Sequence, residues 1–305
     1  MSTPAVIDVG SNTIHLLVGE VDDGAVMPIT GEKISARLGS GVDETGRIED
    51  ARIPIAAEAI TLFARLAALH GASEPAVLAT SAVRDAENGP ELIEEVRKRA
   101  GLKIRLISGE EEAMLGFRGA VSALGPDFSW ENPALVVDLG GGSAQFILGD
   151  AASGPQRQVS LPLGSNRTTE RFLRHDPPEY SELKALREAV FRVLPDWEIS
   201  EGTAVVAIGG SARTITKLTS DLMTVERLTE LAEEISWRPS AMLAREEGLA
   251  PERARVMPAA ITTLSAVLEH FGGERLTVAR GGIREGAILT MAEGALNGGD
   301  PNKGT

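Results

Sequence analysis

Apolar positions along this chain alternate between two rhythms. Short unbroken runs bounded by turn residues predict strands, and longer stretches with an apolar residue every three or four positions predict helices. Ala5–Asp8 and Ile14–Val18 are such runs, separated by Gly10, Ser11 and Asn12, which predicts strand, tight turn, strand. Val26–Ile29 predicts a third strand. A helix is predicted over Ile53–His70, ended by Gly71, followed by a buried strand at Ala76–Thr80. Asn88 with Glu91 three residues on predicts a capped helix to Ala100, closed by Gly101. Lys103–Ile107 predicts a strand, and Ser108 opens a helix running to about Leu124.

The turn-rich stretch 125–133 (GPDFSWENP) predicts a domain boundary, after which the pattern begins again. Leu135–Asp138 and Gln145–Leu148 flank a glycine turn, and Val159–Pro162 extends the same sheet. Helices are predicted at Ser165–Arg174 and Pro178–Leu194. Ala204–Ile208 is a strand leading into GGSART and a helix, and mostly helical sequence fills Val225–His270. Leu276–Ala279 is the last strand and Ile283–Leu296 the last helix. Strands alternating with helices predict an α/β protein with mixed sheets. The expected division is an N-terminal domain over 1–124, a C-terminal domain over 125–297 and a disordered tail at 298–305.

Residues 5–19 and 135–149 align without a gap at an offset of 130. Val6, Asp8, Gly10 and Gly19 fall on Val136, Asp138, Gly140 and Gly149, and Thr13 falls on Ser143. Each copy is a hydrophobic strand ending in Asp, a Gly/Ser/Asn turn and a second hydrophobic strand. Two ordinary hairpins would also use Gly and Asn in their turns. The matched Asp and hydroxyl residues point further, because backbone N–H groups in such a turn converge on an anion. The adjacent Asp can hold a hydrated Mg²⁺.

Composition narrows the classes. The formal net charge is −14, which argues against broad contact with nucleic acid. It leaves room for a small polyanion in a locally positive site. Cys is absent, excluding disulfides, thiolate metal sites and Cys nucleophiles. The four His residues show no metal-ligand spacing; His15 reads as a strand residue near the first turn. No apolar run reaches the roughly 20 residues that span a bilayer, and no secretory signal is seen, so a cytoplasmic protein with no membrane partner is expected.

Two such turns, followed by a strand–GGS–helix and an RGG turn, resemble the acetate and sugar kinase/Hsc70/actin superfamily. The stretches AVIDVGSNTIHLLV, ATSAVRDAEN, LISGEEEA, VVDLGGGSAQFILG, LPLGSNRTTERF, AIGGSARTITKL and ARGGIREGAIL resemble, in order and across essentially the whole chain, the Ppx/GppA family of exopolyphosphatases and guanosine pentaphosphate phosphohydrolases. The resemblance implies two actin-like (ribonuclease H-like) α/β domains flanking a central cleft. It implies a Mg²⁺- or Mn²⁺-dependent hydrolase releasing terminal phosphate from polyphosphate or guanosine pentaphosphate, and a homodimer, for which the helices of 225–270 offer contact surface. Larger family members carry a further C-terminal helical domain that is not expected within these 305 residues, so shorter chains or other phosphoanhydrides are the expected preference.

Ser108 and Glu111 form the S-x-x-E pattern of a capping box, and Glu110 reads as solvated first-turn charge. Glu112 is left as either another first-turn acid or a reactive carboxylate; the resemblance implies the catalytic base. Arg84 can pair locally with Asp85 or Glu87, while the resemblance implies a phosphate contact, for which a guanidinium fork is suited. The resemblance implies that Asp8 and Asp138 hold the metal. It implies that Gly10, Ser11, Asn12 and Thr13, with Gly140, Gly141, Gly142 and Ser143, bind phosphate oxygens. Gln145 stands where the family has Glu; strand alternation from Ser143 turns it toward the same side, so it lines the site without the charge. Gly209 and Gly210 resemble the superfamily's adenosine motif or form a plain helix-entry turn. Arg213 and Lys217, one turn apart, and Arg167 are candidates for lining the path of an anionic chain. A small-molecule kinase lacks an evident acceptor insertion, whereas a non-catalytic polyphosphate or (p)ppGpp-binding regulator is made credible by Gln145.

Overall fold

The computed structural model describes residues 2–125, 128–129, 132–219 and 222–296. In chain order, the strands and helices of the first part are β1 (Ala5–Val9), β2 (Thr13–Asp22), β3 (Ala25–Ser35), α1 (Val42–Thr45), α2 (Arg52–Leu69), β4 (Ala76–Ala79), α3 (Ser81–Asp85), α4 (Gly89–Ala100), β5 (Ile104–Leu106) and α5 (Gly109–Leu124). They continue as β6 (Ala134–Leu139), β7 (Ala144–Asp150), β8 (Gly154–Leu161), α6 (Ser165–Phe172), α7 (Tyr180–Val193), β9 (Val205–Ile208) and α8 (Gly209–Leu218). The last are α9 (Val225–Ser236), α10 (Ser240–Glu247), α11 (Pro251–His270), β10 (Leu276–Val278) and α12 (Ile283–Ala292). The short helices α1 and α3 have no signal in the periodicity, because neither is long enough to show one. The expected tail at 298–305 lies outside the described residues. No helix among the described residues is long and apolar enough to cross a membrane.

Chain contacts separate two compact units, Met1–Gly125 with Gly281–Thr305 and Pro126–Arg280, counted over the described residues. The sequence pattern assigned everything from 125 to 297 to the second domain; α12 instead packs in the first unit, against α5 and the face of β1 and β2. Its apolar Ala287 and Ile288 complete a cluster with Val6, Leu17, Leu78, Ile107 and Leu115. Sequence order could not show this, because the buried face of a helix does not name the sheet it will cover.

The two units share one topology. The sheet orders are β3-β2-β1-β4-β5 and β8-β7-β6-β9-β10, with antiparallel hairpins at one side and parallel strands at the other. The offset of 130 seen in the sequence persists in the ladders. Ala5 pairs with Val18 and Leu135 with Leu148, while Val6 pairs with Ala76 and Val136 with Val206. Both second hairpins slip register at the matched glycine, between Val18 and Gly19 and between Leu148 and Gly149. A bulge accommodates that slip.

Strand alternation decides what faces the chemistry. Ala5, Ile7 and Val9 point into a core with the apolar faces of α2 and α4, while Val6 points the other way, toward α5 and α12. Asp8 shares parity with Val6. In the second unit Leu135, Val137 and Leu139 point into the main core, and Asp138 shares the opposite face with Val136. That core is built around α11, buried along nearly its full length. The contact surface expected on these helices is therefore mostly interior for α11.

Two local expectations change. Asn88 precedes α4, but its side chain makes no cap bond; it accepts from Ile48 N–H and donates to Ile48 C=O, both at 2.8 Å. Buried backbone groups at Ile48 have a stronger claim on that amide than a helix end open to water. Ser108 does cap α5, accepting from Glu111 N–H at 3.2 Å, but the Glu111 carboxylate pairs with Arg105 rather than closing the box.

Candidate active site

In the first unit the turn from Gly10 to Thr13 links β1 to β2, closed by Gly10 N–H donating to Thr13 C=O at 3.2 Å. Ser11 is buried and its hydroxyl lies 3.1 Å from that of Ser81 at the start of α3. This contact ties the turn to the helix carrying Arg84. The Arg84 Nη1 donates to Ile107 C=O at 2.8 Å and lies 3.7 Å from Glu112 Oε2, while Nε is 3.5 Å from Asp85 Oδ1. Both local pairing and pairing with the candidate base therefore occur for Arg84.

Glu112 sits one turn into α5, its residue 5% exposed. Three acids open this helix, and they differ in environment. Glu110 is exposed, its carboxyl held below its ordinary value first by the Ser108 hydroxyl and then by its own backbone N–H. Glu111 pairs with Arg105. Only Glu112 turns inward. A buried carboxylate is costly unless a cation or donor offsets it, and Arg84 is placed to do so.

Asp8 is the penultimate residue of β1, and its Oδ1 is buried with no hydrogen-bond partner among the described residues. Burial pushes its carboxyl up to about 6, with Arg284 of α12 pulling down and Glu285 pushing up. His15, directly across the ladder from Asp8, has Nδ1 3.4 Å from Arg284 Nη1. An acid oxygen buried without a donor suits a cation or its water shell. No cluster of three or more His, Cys, Asp or Glu that could hold a metal ion occurs among the described residues. Asp8 is the residue of this unit that could hold a metal ion, and Mg²⁺ is commonly held by one or two carboxylates with several waters.

The second unit repeats the turn, with Gly140 N–H donating to Ser143 C=O at 3.0 Å. Here the brace is different. Ser165 N–H donates to Gly140 C=O and Asn166 N–H to Gly141 C=O, each at 2.9 Å, so the start of α6 rests on the turn. Asp138 is 6% exposed, and its Oδ1 would lie 3.0 Å from a Cβ at Gly209. Gln145 is fully buried: Nε2 donates to Ser143 Oγ at 2.8 Å and to Ser160 Oγ at 3.0 Å, while Oε1 has no hydrogen-bond partner. Asp138, Gln145 and Ser160 form one cross-strand row.

GGSART opens α8. Ser211 Oγ donates to Ser165 Oγ at 3.3 Å and accepts from Arg253 Nη1 at 3.0 Å. A Cβ at Gly210 would stand 2.8 Å from Arg253 Nη2, so the missing side chain makes room for a guanidinium. Burial first, and then Arg213, lowers the Arg253 pKa. Arg213 itself donates to Arg280 C=O at 3.1 Å. Sequence reasoning missed Arg253, which sits in the first turn of α11, 42 residues beyond the Ser211 it bonds. Its only signal is a basic residue where a helix N-terminus favours acids.

The structure thus gathers Asp8, Gly10, Ser11, Asn12, Thr13, Arg84 and Glu112 in the first unit. Asp138, Gly140, Gly141, Gly142, Ser143, Gln145, Gly209, Gly210 and Arg213 belong to the second. The model of the Ppx/GppA phosphatase family matches residues 17–295. Exopolyphosphatase 1 of Mycobacterium tuberculosis is 30% identical, over 96% of this chain and 89% of that protein. Exopolyphosphatase 2 of the same organism is 30% identical, over 94% of this chain and 98% of its own length. The crystal structure of the Aquifex aeolicus Ppx/GppA family member superposes with a TM-score of 0.78 at 25% identity, covering 97% of this chain and 99% of that one. The duplicated hairpins, the two like sheets and a match running over most of its length are those of a Ppx/GppA phosphatase, and the chain belongs to that family.

Proposed function

We propose that this protein is an exopolyphosphatase that hydrolyses the terminal phosphoanhydride of inorganic polyphosphate, with Glu112 as the base that orients and deprotonates the attacking water. The observation that carries the reading is the burial of Glu112 beside Arg84, joined to the first phosphate turn through Ser81 and Ser11. The names of the two mycobacterial relatives support the substrate class.

Phosphoryl transfer is largely positioning plus stabilisation of charge on the equatorial oxygens. With the Gly10 N–H spent on Thr13 C=O, the remaining N–H groups and the hydroxyls of Ser11–Thr13 supply donors for those oxygens. Arg84, held by the Ile107 carbonyl, presents its charge next to Glu112 and can pass from carboxylate to phosphate as substrate arrives. Asp8 would hold the Mg²⁺, which when bound offsets phosphate charge and lowers the barrier to attack. In the second unit, Gly140–Ser143, Arg213 and Arg253 bind phosphate groups, and Asp138 is the second candidate for holding metal-bound water. Gln145 keeps Ser143 in place by donating to it, which leaves the Ser143 proton available to a phosphate oxygen.

Phosphate release from polyphosphate with Mg²⁺, measured beside Glu112→Gln, tests the reading. Binding of polyphosphate with no phosphate release would refute hydrolysis, and release unchanged by the substitution would refute the base.

A further inference from the structure

Arg37 follows β3 in the segment that braces the first turn. Its N–H donates to Asn12 C=O at 2.9 Å, and two residues on Gly39 N–H donates to Ser11 C=O at 2.8 Å. The backbone of Arg37 is left-handed, with φ 52. That conformation is unfavourable for a side chain with a Cβ, and it persists where the surroundings or a function require the residue. The only other described non-glycine residue with positive φ is Asp23, in the Asp23–Gly24 hairpin turn where the conformation is ordinary. Arg37 is in no such hairpin. Glycines stand nearby at 39 and 41, yet this position keeps an arginine.

The kink separates Arg37 from its neighbours. Ala36 and Leu38 are buried, while Arg37 is exposed, and its guanidinium has no hydrogen bond or ion pair among the described residues. Arg84 and Arg284, by contrast, are engaged: Arg84 by Glu112, Asp85 and Ile107, and Arg284 by Glu285 and His15. An anion held on the turn lies within reach of a long side chain whose own N–H is bonded to that turn.

We propose that Arg37 is a substrate-binding residue whose guanidinium engages the phosphoryl group seated on the Gly10–Thr13 turn. The Arg37 N–H bond to Asn12 C=O holds the residue beside the turn, and the planar fork suits a tetrahedral oxyanion. This rests on the reading of that turn as a phosphate site.

The test uses the full chain, tripolyphosphate binding by calorimetry, melting temperature and phosphate-release kinetics. Arg37→Gly removes the fork and the backbone strain together. It should melt at or above the wild-type temperature, bind tripolyphosphate about tenfold more weakly and raise KM by a similar factor, with kcat within about threefold. Arg37→Lys should fall between, keeping charge without the fork. Arg65→Gln, an exposed change on α2, controls for the loss of one positive charge and should match wild type. Unchanged affinity in Arg37→Gly beside normal wild-type binding overturns the role of Arg37 alone, as does a loss equalled by Arg65→Gln. Failure of the wild type to bind tripolyphosphate at all overturns the phosphate reading of the turn and this inference with it.

Discussion

Helix α12 returns to the first unit and seats Gly286 directly against the backbone of Leu115 on α5. A Cβ built at Gly286 would stand 2.7 Å from the Leu115 carbonyl carbon and 3.0 Å from Leu115 Cα, and closer still to the carbonyl oxygen. Carbon pairs settle at about 3.5–4.0 Å, so Gly286→Ala demands a separation of roughly 1 Å. No rotamer relieves the clash, because both partners are backbone. Neighbouring contacts resist the movement: a Cβ at Gly119 would stand 2.7 Å from Gly282 N, and one at Gly281 would stand 2.8 Å from Ala123 Cβ. Overpacking of this kind costs about 1–3 kcal/mol, and loosening Ala287 and Ile288 against Val6, Leu17 and Leu115 adds to it.

The chemical effect should be larger than the thermodynamic one. Glu112 stands less than one turn from Leu115 on the helix that must move, and a 1 Å misplacement costs on the order of 10²-fold in rate. Urea unfolding should therefore place Gly286→Ala about 3 kcal/mol below wild type, with phosphate release from the folded fraction down about a hundredfold. Gly101→Ala is the comparator. Gly101 closes α4 at φ 69 with open space around its Cβ, so it should lose only about 1 kcal/mol and keep the wild-type rate. If Gly286→Ala is no less stable than Gly101→Ala, the close helix contact is wrong. If it is less stable but hydrolyses at the normal rate, α12 does not position Glu112.

Glu112→Gln should retain a cooperative unfolding transition while phosphate release falls about 10²–10⁴-fold, read by a coupled phosphate assay. Gln145→Glu installs the family's carboxylate in a fully buried position now satisfied by amide donation to two serines. Burial should raise that carboxyl's pKa. The variant should then match wild type near pH 4 and lose about 2–4 kcal/mol as pH rises through the raised pKa, seen in melts at pH 5 and 8, with added Mg²⁺ recovering part of the loss. Equal melting at both pH values would show that the site tolerates the charge unaided. Arg253→Met removes a buried cation whose charged form is disfavoured by burial and Arg213. It should leave the ligand-free protein as stable or about 1 kcal/mol more so, yet weaken tripolyphosphate protection against melting. Destabilisation without loss of that protection would make Arg253 structural.

Much of the site was legible because it is built from local devices. Asp8 and Asp138 stand one residue before the ends of hydrophobic strands, and the glycines that follow announce tight turns, so the repeat at 130 residues could be read directly and reappears in the strand register. Glu112 stood out because its neighbours had other duties, although Glu111 discharges its own through Arg105 rather than through the cap. Asn88 misled for the same reason that Ser108 did not. Both are cap residues by type, but only Asn88 lies beside a buried backbone segment competing for its amide.

By itself, then, the sequence determined the strands and turns, the duplicated hairpin and the carboxylates near the ends of its strands. Periodicity and turn chemistry are decided within a few residues of each position. Only the tertiary structure decided that α12 covers the first sheet, that Arg253 fills the space left by Gly210, that Gln145 is spent on two serines and that the Arg37 N–H is bonded to the first turn. Those depend on which apolar face meets which sheet, and on which buried donor finds which acceptor. Such choices are made by close packing across the fold, where many partners are chemically equivalent in sequence and only one is within reach.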